Sequence, residues 1–139
     1  MTGPGADLPP YDAVVLAGGR ARRLGGADKP ALEVGGRPLL DRVLGAVADA
    51  ARLVVVGPCR PTARAVRWAR EEPPGGGPAA ALAAGLPLVT AEVVAVLAAD
   101  LPFLSAELVA ALRRSAAGAD GALLVDPGGR DQVLAGVWR

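Results

Sequence analysis

Gly18 and Gly19 stand immediately ahead of Arg20, Arg22, Arg23 and Lys29. They close an apolar run, Ala13, Val14, Val15, Leu16 and Ala17, of the kind that forms a buried strand. Glycine lacks a Cβ, so its backbone N–H groups can approach a bound group closely. Bare N–H donors and cations just past a strand end make a site for phosphate. A surface loop with solvated arginines is the plainer reading, and the coincidence of glycines with cations ranks it second. Asp100 is the second chemical residue. It follows the apolar run 93–98, where a carboxylate is costly unless solvated, paired or on a metal. At a strand end it suits Mg²⁺, a hard cation held by one or two carboxylates plus substrate phosphates. Alone, Asp100 fits equally well as a turn or capping residue before Pro102; the phosphate loop upstream favours the metal. Gly75, Gly76, Gly77 and Pro78 open a helix whose first turn has free N–H groups, suited to the edge of a base. Glu71 and Glu72 can accept from base N–H groups or serve as a solvated acidic pair.

The elements that must position these residues follow from the apolar pattern. Residues 1–10 read as a loose tail and 11–139 as one domain. Strands are predicted at 11–17, 53–56, 93–98, 121–126 and 132–138, with an extended piece and turn at 31–37. Helices are predicted at 38–50, with Pro38 in the first turn, and at 62–68, 78–86 and 105–117, the last with Ser105 as N-cap. Strands alternating with helices predict a Rossmann-like three-layer α/β/α fold with a mostly parallel sheet. Ligands of such sheets bind in crevices at the carboxyl ends of strands.

Composition narrows the chemistry. The chain has 139 residues, 52% hydrophobic but only 3% aromatic, so its core must be Ala, Val and Leu. Fifteen basic residues against fourteen acidic give no global case for nucleic acid or a membrane surface; any anion site is local. Histidine is absent, which removes His-based triads and most zinc sites. The single cysteine, Cys59, excludes a disulfide framework and reads as a small filler. Residues 1–10 have neither the basic start nor the apolar core of a leader, so a cytoplasmic location is expected.

The loop fits neither common phosphate motif. It lacks G-x-G-x-x-G spacing, and Pro30 follows Lys29 where a P-loop has Ser or Thr. What stands at 16–29 is L-A-G-G-x-x-x-R-x-G-x-x-x-K. With G-G-R-P-L-L-D-R-V-L, G-G-P-A-A-A-L and A-A-D-L-P-F-L following in order, the chain resembles the molybdenum cofactor guanylyltransferases. The resemblance implies transfer of GMP from GTP to Mo-molybdopterin with Mg²⁺, in molybdenum cofactor biosynthesis. It implies that the backbone of Leu16, Ala17 and Gly18, with Gly19 beside them, meets guanine, that Lys29 contacts phosphate, and that Asp100 binds Mg²⁺ and nucleotide. Glu72 falls where the family has a nucleotide-contacting aspartate, and Gly77 belongs to the second glycine loop. The L-A-G-G form goes with guanine, whereas cytidine-using relatives carry L-A-A-G.

Within that reading the acceptor phosphate attacks the α-phosphorus. It is already ionised, so no general base is required. Lys29 stabilises the α-phosphate, and Arg20 and Arg23 hold the leaving phosphates. The alternatives are a relative using CTP or a sugar phosphate, and a nucleotide-binding module without catalysis. The expected partners are small molecules, GTP and molybdopterin, not nucleic acid or membrane. The expected assembly is a monomer or weak homo-oligomer, with transient contact to molybdoenzyme maturation proteins. Two departures stand out. Gly57 replaces the asparagine often seen there, and the family pattern continues past Arg139, where much of the acceptor wall is expected.

Overall fold

The computed structural model describes residues 8–17, 23–24, 27–28, 33–34, 37–57, 62, 64–70, 77–99, 101, 103–125 and 131–139. Its strands are β1 (Tyr11–Leu16), β2 (Arg23–Leu24), β3 (Ala27–Asp28), β4 (Glu33–Val34), β5 (Arg37–Pro38), β6 (Arg52–Val56), β7 (Arg67–Ala69), β8 (Val93–Ala98), β9 (Gly121–Val125) and β10 (Asp131–Trp138). Its helices are α1 (Leu39–Ala46), α2 (Gly77–Gly85) and α3 (Ala106–Ala116), and a 3₁₀ turn, Leu86–Leu88, follows α2.

Six strands form one sheet in the order β7-β6-β1-β8-β10-β9. The pairs β7–β6, β6–β1 and β1–β8 are parallel, whereas β10 runs antiparallel to both β8 and β9. β1 is buried along its whole length because it sits between two strands and two layers of helix. Its side chains alternate accordingly. Tyr11, Ala13 and Val15 join a core with α1 and α3, through Leu40, Val43, Leu44, Val109 and Leu112. Val14 and Leu16 face the opposite way and join Val54, Val56 and Ala81 of α2. This is the expected three-layer α/β/α arrangement, and each fully buried Val or Leu contributes about 1.5–3 kcal/mol.

α3 starts where the sequence places its cap: Ser105 Oγ accepts from Leu108 N–H at 3.1 Å. Two predicted helices need correction. The stretch 62–68 is not a helix among its described residues; Arg67–Ala69 instead pairs with β6 as an edge strand. Its period is two, with Val66 and Trp68 packed on the α1/α3 face and Arg67 exposed. The open edge of β6 outweighs the weak helical spacing of its alanines and arginines. The helix predicted at 38–50 covers only Leu39–Ala46, since Pro38 lies in the β4–β5 ribbon and 47–49 is a turn. Cys59 lies outside the described residues.

The amino edge of the sheet is fastened by a buried arginine. Arg113 Nη2 donates to Pro9 O at 2.7 Å, and Nη1 lies 3.6 Å from Asp49 Oδ2. Its guanidinium stacks 4.2 Å from the Tyr11 ring centroid, and Tyr11 Oη donates to Asp49 Oδ1 at 2.5 Å. Asp12, fully buried on the other face, accepts from Thr90 N–H at 2.8 Å and Ala91 N–H at 3.0 Å through Oδ2. This ties the segment after α2 to the start of β1.

Candidate functional site at the carboxyl edge of the sheet

The parallel register brings the ends of three strands level. Leu16 is the partner of Val56 on one side and of Ala98 on the other. The residues just beyond are also joined. Ala17 N–H donates to Val56 O at 2.8 Å, Ala99 N–H donates to Leu16 O at 3.1 Å, and Gly57 N–H donates to Ala69 O at 2.9 Å. Ala17 and Ala99 are buried, so the row Gly57, Ala17, Ala99 forms a closed floor. From it the chain leaves β1 toward Gly18 and leaves β8 toward Asp100.

This bonding refines the expectation for Leu16 and Ala17. Each residue carries one backbone donor and one acceptor. The Ala17 N–H is committed to β6, so a main-chain contact from Ala17 to a base uses its carbonyl, which accepts. Gly57 has φ 151, a conformation that L side chains rarely adopt. That gives a physical reason for glycine where the resembling family often has asparagine.

The helix α2 packs on one face of β1 and β6. A Cβ built on Gly85 would stand 2.9 Å from both Val14 Cγ1 and Val56 Cγ2, so glycine sets how deeply the helix sits. From Gly85 the helix runs back toward the carboxyl edge, and its eight steps cover about 12 Å. Gly77 therefore starts α2 on the same side as Ala17. The first turn of α2 has no charged side chain, so the positive end of its dipole is not neutralised from within the helix.

Arg23 lies in β2, an antiparallel ribbon with β3 in which Arg23 is partnered with Asp28 and Leu24 with Ala27. The stretch read as a phosphate-binding loop thus contains a two-stranded ribbon among its described residues. Gly18, Gly19, Arg20, Lys29, Glu72 and Asp100 lie outside the described residues. Of the predicted site residues, the structure therefore places Leu16, Ala17, Arg23 and Gly77. It brings the first two and Gly77 to one edge. Sequence reasoning assigned no part to Phe103, which is 56% exposed beyond the end of β8, between buried Leu101 and Leu104. Its signal was available: the chain's single phenylalanine stands in a run with Asp100. Among the described residues no group of three or more acidic or cysteine side chains is placed to hold a metal. No described helix is long and apolar enough to cross a membrane.

Comparison with known proteins agrees with this geometry. Residues 13–139 match the MobA-like NTP transferase domain. The chain is 58% identical over 45 residues to a molybdenum cofactor guanylyltransferase of Rhodopseudomonas palustris, covering 32% of this chain and 21% of that one. It is 34% identical over 93 residues to a probable molybdenum cofactor guanylyltransferase of Haloferax mediterranei, covering 60% and 44%. The matched segments thus span less than half the length of either relative. The crystal structure of molybdopterin-guanine dinucleotide biosynthesis protein A from Archaeoglobus fulgidus superposes with a TM-score of 0.64 at 22% identity, covering 91% of this chain and 66% of that one. The strand order, the glycine–arginine stretch at the end of β1 and the match over 13–139 lead to one conclusion: the chain belongs to the MobA-like NTP transferase domain family.

Proposed function

We propose that the protein is a nucleotidyltransferase that moves GMP from GTP to the terminal phosphate of Mo-molybdopterin. The observation that carries this reading is the level carboxyl edge of β1, β6 and β8, from which the L-A-G-G stretch departs. The partly matching relatives named as molybdenum cofactor guanylyltransferases support the choice of donor and acceptor. Gly18, in place of the alanine of L-A-A-G, supports guanine over cytosine. The committed N–H of Ala17 supports a base that donates to a main-chain carbonyl.

An acceptor phosphate oxygen attacks the α-phosphorus in line. The new P–O bond forms as the bond to the β-phosphate oxygen breaks, and pyrophosphate leaves with the electron pair. Both reactants are anions, so positioning and charge stabilisation dominate the barrier. Lys29 stabilises the α-phosphate as it becomes five-coordinate. Arg20 and Arg23 hold the phosphates that leave. Leu16, Ala17, Gly18 and Gly19 present backbone to the base, and Glu72 accepts from its N–H groups. The N–H groups at the start of α2, from Gly77 onward, close the second wall.

One carboxylate, Asp100, together with substrate phosphates is a donor set suited to Mg²⁺. When bound, Mg²⁺ supplies charge neutralisation and a template for the phosphates.

The test is incubation with GTP, Mg²⁺ and molybdopterin, reading pyrophosphate and the dinucleotide product by mass spectrometry. Both products are expected. GTP binding without pyrophosphate would reject transfer in favour of a binding module. Turnover with CTP but not GTP would reject the guanine assignment.

A further inference from the structure

The lateral edge of the sheet at β7 carries a charge imbalance to which the proposed nucleotide chemistry assigns no role. Residues 51–70 hold five arginines and no acidic residue. The whole chain is nearly balanced at +1, so one segment concentrates its positive charge. The fold places that segment at the sheet edge, because β7 is the terminal strand of the six. Arg64, Arg67 and Arg70 are all exposed. None of the three side chains has a hydrogen-bond or ion-pair partner among the described residues.

Among the described residues no strand pairs with the outer side of β7. Ala69 turns its carbonyl toward β6, where Gly57 N–H donates to it. The alternation along a strand then turns the N–H and C=O of Trp68 to the outer side. At the amino ends of β6 and β7 lies a shallow groove of about 600 Å³, lined by Arg52, Leu53, Val66, Arg67 and Thr90. Arg52 is held there by its Nε, which donates to Thr90 Oγ1 at 3.0 Å.

We propose that this edge docks an extended acidic segment of a partner protein, which adds as a strand beside β7 and sets its carboxylates against Arg64, Arg67 and Arg70. Backbone pairing supplies the register and the arginines supply the selection, as in strand-addition recognition generally. A second copy of this chain fits poorly, since it would set arginines against arginines, a known guard of open sheet edges. Nucleic acid fits less well than a peptide. It cannot pair with the Trp68 backbone, and Trp68 itself packs half-buried on the core.

The test uses the full chain and a fluorescent glutamate-rich peptide that carries carboxylates on both faces of an extended strand. A lysine–valine peptide and a single-stranded oligonucleotide serve as comparators. Anisotropy gives affinities, and amide exchange reads protection at Trp68. The acidic peptide is expected to bind in a salt-dependent way and to protect the Trp68 amide. Its affinity should weaken about tenfold in the triple variant Arg64→Ala, Arg67→Ala, Arg70→Ala, at a fraction of 1 kcal/mol per exposed pair. GTP affinity should be unchanged in that variant, which separates this outcome from any failure at the carboxyl edge. Failure of the acidic peptide to bind overturns the proposal. So does oligonucleotide binding without protection at Trp68, or salt-insensitive self-association of the chain.

Discussion

Tyr11 is the chain's single tyrosine, so its titration can be read without interference from another phenol. Burial raises its pKa above the usual value; the hydrogen bond and charge of Asp49 raise it further, and Arg113 lowers it. A raised folded-state pKa means the contribution to stability is intact below the unfolded value of about 10. It is lost as pH rises from there toward the folded value, because the unfolded chain then ionises first. The folded protein should therefore show no tyrosinate absorbance near pH 10, and its urea midpoint should begin to fall above that pH. Tyr11→Phe should remove the alkaline fall while costing about 1 kcal/mol at neutral pH for the lost hydrogen bond. Ordinary titration of the folded protein near pH 10 would contradict this account. At the other edge, Lys29→Ala and Asp100→Ala should each lower transfer about a hundredfold or more, with circular dichroism unchanged. Full activity in either would contradict their assigned roles. Residue types suggested a phosphate site before any fold was known. What they left hidden was hydrogen-bond direction: no residue-level signal says that the Ala17 N–H belongs to Val56.

Among the elements, α2 is the one whose placement most directly shapes the site, and Gly85 sets that placement. Gly85→Ala puts a methyl group against two stiff valines, Val14 and Val56. Overpacking of this kind costs about 1–3 kcal/mol. Val56→Ala in the same chain should relieve the clash, so the two losses should fall short of additive by about 1 kcal/mol in urea denaturation. Strict additivity would contradict the proposed seating of the helix. β1, β6 and β8 were legible because long Val- and Ala-rich runs admit one reading when both faces are covered. β7 was not. Three residues carry little periodicity, and the outcome depended on the open edge of β6, which is a tertiary fact. The ribbon of β2 and β3 was hidden for the same reason, since two-residue strands leave almost no pattern.

At the scale of the molecule, the two proposed roles fall on different edges of the sheet. The carboxyl edge gathers the ends of β1, β6 and β8, and the sequence runs from β1 into the glycine–arginine stretch. The amino edge is fastened by Tyr11, Asp49 and Arg113, and the β7 flank carries arginines without a side-chain partner among the described residues. Alternation of strands and helices sufficed to predict three layers and a mostly parallel sheet. It did not disclose that β10 inserts antiparallel between β8 and β9, because the order of strands is set by packing and not by sequence order. The central claim is that the carboxyl edge holds a guanine nucleotide with Mg²⁺. Calorimetric titration with GTP, CTP, ATP and UTP, each with and without Mg²⁺, tests it most directly. GTP with Mg²⁺ should bind most tightly, with a clear loss of affinity when Mg²⁺ is withheld. CTP binding as tightly as GTP, or no nucleotide binding at all, would contradict the claim.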